Sequence, residues 1–115
     1  MPHVICAGHA DLVAAWRDLP RGPWHWGNAV ARVEACFLGR DEASLLVAGV
    51  VVEYGRPLHA VVLVSNGREE TAFHLWRSAP VERTDAVKRL LAQVAREMAA
   101  FGAGAVITTN IPKLL

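Results

Sequence analysis

The sequence predicts an α+β protein made of a single domain, residues 1–115, and built on a four-stranded antiparallel meander. Two observations predict the sheet: strand-like runs rich in Val and Leu follow one another between residues 28 and 76, and Gly-containing turn sequences separate them. Apolar residues at helical spacing on either side of the meander predict helices. We therefore expect an N-terminal helix, the meander, a long C-terminal amphipathic helix on one face of the sheet and a short terminal strand.

The N-terminal elements are short. Residues 3–7 are compatible with a strand, and residues 11–19 have the apolar spacing of a helix that Pro20 ends. The next segment, residues 20–27, has helix and strand breakers at both ends and an aromatic centre of Trp24, His25 and Trp26. It is interpreted either as a lid over a ligand or as an apolar plug on the sheet. Burial is the commoner role of large aromatic side chains and favours the plug.

The first strand of the meander, residues 28–38, alternates with a clear period of two. The turn at residues 39–42 decides which of its faces is buried. A three-residue loop with a bulge sends Ala31, Val33, Ala35 and Phe37 to the core, whereas a two-residue loop sends Arg32 and Glu34 there. We predict the bulge, because burying an arginine and a glutamate costs more free energy than a bulge does.

Two tight hairpins connect the remaining strands. Residues 54–57 read Tyr-Gly-Arg-Pro, with Gly55 where a type II′ turn requires glycine, which places Val52 beside His59. Asn66-Gly67 is the typical dipeptide of a two-residue type I′ turn and places His59 directly opposite His74.

These registers give the sheet two faces. The core face carries Leu45, Val47, Gly49, Val51, Glu53, Leu58, Ala60, Val62, Val64, Thr71, Phe73 and Leu75. The second face carries Leu46, Ala48, Val50, Val52, Tyr54, His59, Val61, Leu63, Ala72, His74 and Trp76. A sheet face open to water is normally polar, yet the second face is nearly as apolar as the core face. We therefore expect either the rest of the chain or a second copy of it to cover the second face.

The C-terminal region begins with a strongly amphipathic helix. Its apolar stripe consists of Val87, Leu90, Leu91, Val94, Met98 and Phe101. Gly102 is placed to end the helix, and residues 105–109 then read as a terminal strand that Pro112 stops.

Composition argues against several classes of protein. The net charge is +1 and the basic residues are scattered, which argues against nucleic acid as a partner. The longest apolar run, residues 45–52, is too short to cross a membrane, and the N-terminus lacks the pattern of a signal peptide. Cys6 and Cys36 match no metal or redox motif, so we expect reduced, buried thiols in a cytoplasmic protein and no cofactor.

One group of reactive side chains converges on the second face. Its members are Arg32, Glu34, Tyr54, His59, His74 and Trp76. Three hypotheses follow. In the first, the chain is an interaction protein that forms a homodimer through a sheet face or strand edge. In the second, this group is the pocket of a small-molecule binder or enzyme, with Trp24, His25 and Trp26 as its lid. In the third, the histidines hold a metal with Glu34 or His25. No catalytic motif separates them, and the homodimer is favoured.

Overall fold

The computed structural model describes all residues, 1–115, and contains seven strands and two α-helices. In chain order they are β1 His3–Ala7, α1 Leu12–Asp18, β2 Trp24–Trp26, β3 Ala29–Leu38, β4 Ser44–Glu53, β5 Arg56–Asn66, β6 Glu70–Leu75, α2 Asp85–Glu97 and β7 Val106–Thr109. Short 3₁₀ helices follow at Met98–Phe101 and Pro112–Leu114.

All seven strands belong to one antiparallel sheet, curled into a half-barrel, with the order β2-β3-β4-β5-β6-β1-β7. The prediction of a four-stranded meander with one separate terminal strand is therefore wrong. The meander β3–β6 exists, but β1 pairs with β6, β7 pairs with β1, and β2 adds to the opposite edge. The extra strands have a physical reason, since backbone N–H and C=O groups at the meander's edges are satisfied by further strands.

Both helices pack on the same face of the sheet. In α2 the Thr84 hydroxyl accepts a hydrogen bond from Val87 N at 3.2 Å, which caps the helix, and the predicted apolar stripe is buried against the strands. The Met98–Phe101 turn ends at Gly102, whose φ of 105° suits glycine. Helix α1 is capped in the same way by Asp11, which accepts from Ala14 N at 3.0 Å. The long amphipathic helix on one face is confirmed.

The core lies between these helices and the predicted core face of β4, β5 and β6. Its nearly or fully buried members include Leu45, Val47, Val51, Ala60, Val62, Val64, Thr71, Phe73 and Leu75. Helix α2 packs closely on the sheet at Gly49, where an added Cβ would lie 2.8 Å from Leu90 Cδ2. The alternation in the sequence therefore assigned the buried face of these strands correctly.

The hairpin between β4 and β5 turns one residue earlier than predicted, which shifts the pairing by two residues. Its central residues are Tyr54 and Gly55, both with positive φ (52° and 75°), as a type I′ turn requires. Glu53 pairs with Arg56 and Val52 with Pro57, so Val52 does not lie beside His59.

The hairpin between β5 and β6 also differs from the prediction. Neither Asn66 nor Gly67 has a positive φ, and Asn66 stays in the strand opposite Thr71. The Asn66 side chain explains this: Nδ2 donates to Ala10 O at 2.9 Å, and Oδ1 lies 2.9 Å from the Thr71 hydroxyl. Because these partly buried bonds hold Asn66 extended, the turn moves to the following residues. Leu63, and not His59, lies opposite His74.

The predicted bulge lies inside β3 instead of in the turn after it. The register shifts between Val33 and Ala35, so Glu34 is the extra residue. Before the bulge Ala31 and Val33 face the core as predicted. After it, Ala35 and Phe37 pair with Ala48 and Leu46 and lie on the second face, while Cys36 and Leu38 pack against the core. The prediction that Ala35 and Phe37 face the core is wrong.

Candidate functional site

The second face of the sheet is left without a cover, because both helices pack on the core face. The pairings of β3 to β6 place its side chains in rows that cross the strands. One row consists of Arg32, Val50 and His59. We call this row and the adjacent Glu34 the charged row. The next rows hold Ala35, Phe37, Leu46, Ala48, Val61, Leu63 and Trp76, which we call the apolar patch.

The charged row is held together by Glu34. Its carboxylate lies 3.4 Å from His59 Nδ1 through Oε1 and 4.0 Å from Arg32 Nη2 through Oε2. The β3 bulge explains these two contacts of Glu34, because it inserts Glu34 beside the row that contains Arg32 and His59. The side chains are largely exposed, and exposed ion pairs stabilise a fold by only about 0–1 kcal/mol. The cluster is therefore poorly explained as a device for stability.

A groove of about 940 Å³ opens beside the charged row. One wall is the chain segment 21–23, which is attached to β3 by a hydrogen bond from Val33 N to Arg21 O at 2.9 Å. The floor is apolar and includes Val30, Val52 and Pro57. Arg21, Arg32, Glu34 and His59 are the charged or titratable side chains that line it.

The structure brings together three of the six predicted site residues: Arg32, Glu34 and His59. Tyr54 lies in the β4–β5 turn and is 81% exposed. Trp76 lies just after β6, where its backbone N–H donates to Val61 O at 2.8 Å, and His74 lies near the end of β6. The predicted pocket of histidine, tyrosine and tryptophan is thus not formed as one site.

The residues predicted as a lid form strand β2. Trp24 and Trp26 pair with Ala31 and Ala29 and pack against the core. His25 alternates with them and is exposed. The two tryptophans are therefore partly buried aromatic side chains on the core face, which is close to the plug interpretation except for the face.

A cross-strand histidine pair does exist, with a different partner. His74 lies opposite His3 of β1. Burial lowers the pKa of His74 below its ordinary value of 6.5, and the positive charges of Arg77 and of His3 when protonated lower it further. Two imidazoles alone are a poor metal site, and no group of three or more His, Cys, Asp or Glu side chains is placed to hold a metal ion.

The remaining reactive groups favour binding over catalysis. Burial raises the pKa of both thiols, Cys6 and Cys36, although Arg21 opposes the shift at Cys36, so neither is an activated nucleophile. Glu34 lies beside His59, as a carboxylate lies beside the imidazole of a general base, but the 3.4 Å between them is longer than the hydrogen bond such a pair uses. Both side chains are open to water, which weakens the electrostatic effects that catalysis needs.

Comparison of the chain with family models, with curated proteins and with solved structures finds no match. No helix in the structure combines the length and the apolar character needed to cross a membrane.

Sequence reasoning missed two residues of this region. Arg21 lines the groove from a loop, and nothing in its sequence neighbourhood relates it to β3. His3 lies in β1 opposite His74. The sequence signal for this position is that His3 begins the strand-like run of residues 3–7.

Proposed function

We propose that this chain is an interaction protein that forms a homodimer through the second face of its sheet. The observation that carries the proposal is the apolar patch. It includes Phe37, 58% exposed, and Trp76, 36% exposed, on a sheet face that no helix covers. Contiguous apolar surface rimmed by polar groups is typical of protein interfaces. Here the charged row borders the patch on one side and Ser44 with Ser65 on the other.

A second copy of the chain suits this face in shape. Two sheets pack face to face with their strands roughly aligned, as in a β-sandwich, and a two-fold axis makes such a contact self-complementary. Between the Ser44–Ser65 row and the charged row, the three long strands and β6, spaced about 4.8 Å apart, present an area of roughly 400 Å². Two such areas bury about 800 Å² in total, which is the size of a weak, reversible interface.

The charges also suit a second copy. The charged row carries both signs, with Arg32 and Glu34 side by side, so it does not repel the same row of a second copy at the rim of the contact. The net charge of +1 produces little repulsion between copies. A strongly acidic or basic partner would instead favour a row of one sign.

The experiment is a measurement of molar mass by light scattering over a range of micromolar concentrations. We expect the mass of a dimer for the wild type. Phe37→Glu should raise the dimer dissociation constant more than about a hundredfold, because it buries an unpaired charge in the interface. Ile107→Glu is the matched control: Ile107 is also 58% exposed but lies on β7, outside the patch.

Thermal unfolding of both variants verifies that they fold. A wild type that remains monomeric across the range contradicts the proposal, as does equal weakening of the dimer by both substitutions.

We also propose that the protein is cytoplasmic, and the state of its thiols supports this. Cys6 and Cys36 are both free. They lie on β1 and β3, four strand spacings apart, about 19 Å, which is far beyond the reach of a disulfide. Free thiols are usual in a reducing compartment.

A further inference from the structure

We propose that the groove beside the charged row binds a small amphipathic carboxylate, with its apolar chain on Val30, Val52 and Pro57 and its carboxylate at Arg32. This site goes beyond dimer formation, since its floor lies on the same face of the sheet but on the other side of the charged row from the apolar patch.

The floor of the groove suits an alkyl or similarly apolar chain. Val30 and Val52 are 38% and 37% exposed on neighbouring strands and lie opposite one another, and Pro57 continues the same row on β5. The segment 21–23 stands beside them and contributes Pro23 to the lining. The volume of about 940 Å³ falls within the range of small-molecule sites, about 300–1,000 Å³.

The charges at the end of the groove favour an anion. Two guanidinium groups, Arg21 and Arg32, and one carboxylate, Glu34, line the groove. Arg21 Nη1 donates to the Glu34 backbone carbonyl at 3.2 Å, a bond that leaves its charge unneutralised. An ammonium group placed there would meet two positive charges.

Arg32 is the residue that best receives the carboxylate. Its guanidinium lies 4.0 Å from Glu34 Oε2, which is outside hydrogen-bonding distance, so its N–H donors remain available. The Glu34 carboxylate lies closer to His59, at 3.4 Å, than to Arg32. Guanidinium donors match the two oxygens of a carboxylate in a bidentate pair.

The geometry selects this class of ligand over others. A nucleotide or polyphosphate typically uses a helix N-terminus or a glycine-rich loop, and the groove is built from strands and the segment 21–23. A metal ion needs more carboxylate or imidazole ligands than Glu34 and His59 supply.

The test is isothermal titration calorimetry with three probes of equal chain length: octanoate, octylammonium and 1-octanol, each below its aggregation concentration. We expect octanoate to bind at least about tenfold more tightly than octylammonium, with octanol between them. Arg32→Gln should lower octanoate affinity about tenfold and leave octanol unchanged, since it removes the charge and keeps most of the side-chain volume.

Arg68→Gln is the matched control, because Arg68 is an exposed arginine in the β5–β6 loop away from the groove, and its octanoate affinity should equal that of the wild type. Val52→Ser should weaken octanoate and octanol alike. If Arg32→Gln fails to fold, Arg21→Gln tests the same charge.

Three results would overturn the proposal: no octanoate binding, equal affinity for the three probes, or equal loss in the Arg32 and Arg68 variants. Repeating the titration with Phe37→Glu separates this site from dimer formation. Phe37 does not line the groove, so octanoate affinity should persist in the monomeric variant.

Discussion

Single polar side chains decide how the strands of this protein align. Thr71 is fully buried, and its hydroxyl accepts from Ala10 N at 3.2 Å and lies 2.9 Å from Gly8 O. Asn66 lies beside it and bonds the Ala10 carbonyl. Together they join the turn between β1 and α1 to the β5–β6 hairpin. Because buried polar groups must be satisfied, this network has one arrangement, and that arrangement sets the register of β5 on β6.

His74 makes the fold sensitive to acid. Its pKa is lowered in the folded protein by burial, then by Arg77 and His3, so the unfolded chain binds its proton more readily. This source of instability is absent above pH 6.5, where the unfolded histidine is neutral, and grows as the pH falls through 6.5 toward the lower folded pKa. We predict that the wild type loses more free energy of unfolding between pH 8 and pH 5 than His74→Gln does.

The measurement is urea denaturation of both proteins at the two pH values. His25→Gln serves as the control, since His25 is exposed on β2, and it should retain the wild-type acid loss. An identical loss in the wild type and in His74→Gln would show that His74 is not the sensitive group.

At the scale of elements, the bulge in β3 is the feature that creates the candidate site. It adds Glu34 to the charged row and reverses the faces of the residues that follow it. Phe37 is thereby moved to the exposed apolar patch and Cys36 to the core side. One extra residue in one strand therefore supplies both the acid at the groove and the aromatic ring that the dimer proposal depends on.

The β4–β5 turn contains a strained residue that a substitution can relieve. Tyr54 has φ of 52°, a left-handed conformation that costs an ordinary L-residue roughly 1–2 kcal/mol and that asparagine adopts more easily. Because Tyr54 is 81% exposed, its replacement removes little packing. We predict that Tyr54→Asn raises the free energy of unfolding by about 1 kcal/mol, measured by urea denaturation.

The matched comparison at this position is Tyr54→Val, which should lower the free energy of unfolding because a β-branched residue tolerates positive φ poorly. A stability for the asparagine variant equal to or below that of the wild type would contradict the prediction.

At the scale of the whole molecule, the sheet is stabilised from its centre outward. Strands β4 and β5 are paired on both sides and packed beneath α2, whereas β2 and β7 are the edges, with three and four residues. We predict that amide hydrogen exchange is slowest in β4 and β5 and fastest in β2 and β7, because local opening of an edge breaks few contacts. Mass spectrometry of peptides from each strand measures this order, and protection of β7 equal to that of β5 would contradict it.

The sequence was most informative about which side chains are buried. Side-chain direction in a strand has a period of two, so Val47, Val62 and Phe73 could be assigned to the core without knowing their partners. That assignment survives a register error of any even number of residues. The predicted pairing of Val52 with His59 instead of Pro57 was such an error, and so was the pairing of His59 with His74.

The candidate site was predicted only in part for the same reason. Arg32 and Glu34 were expected on the second face with His59, and they lie there together. The place of Tyr54 depended on the β4–β5 register, which the turn at Tyr54 and Gly55 sets. The places of His74 and Trp76 depended on the β5–β6 register, which Asn66 helps to set through its bond to Ala10, 56 residues earlier in the chain. Arg21 depended on the path of a loop along β3.

Periodicity by itself determined the amphipathic helix, the meander and the buried face of β4 to β6, because these follow from local spacing of apolar residues. Only the tertiary structure decided the seven-stranded order, the registers and the position of the bulge, since each depends on backbone and polar groups far apart in sequence finding partners. It also decided that α1 and α2 both pack on the core face, which leaves the apolar second face uncovered.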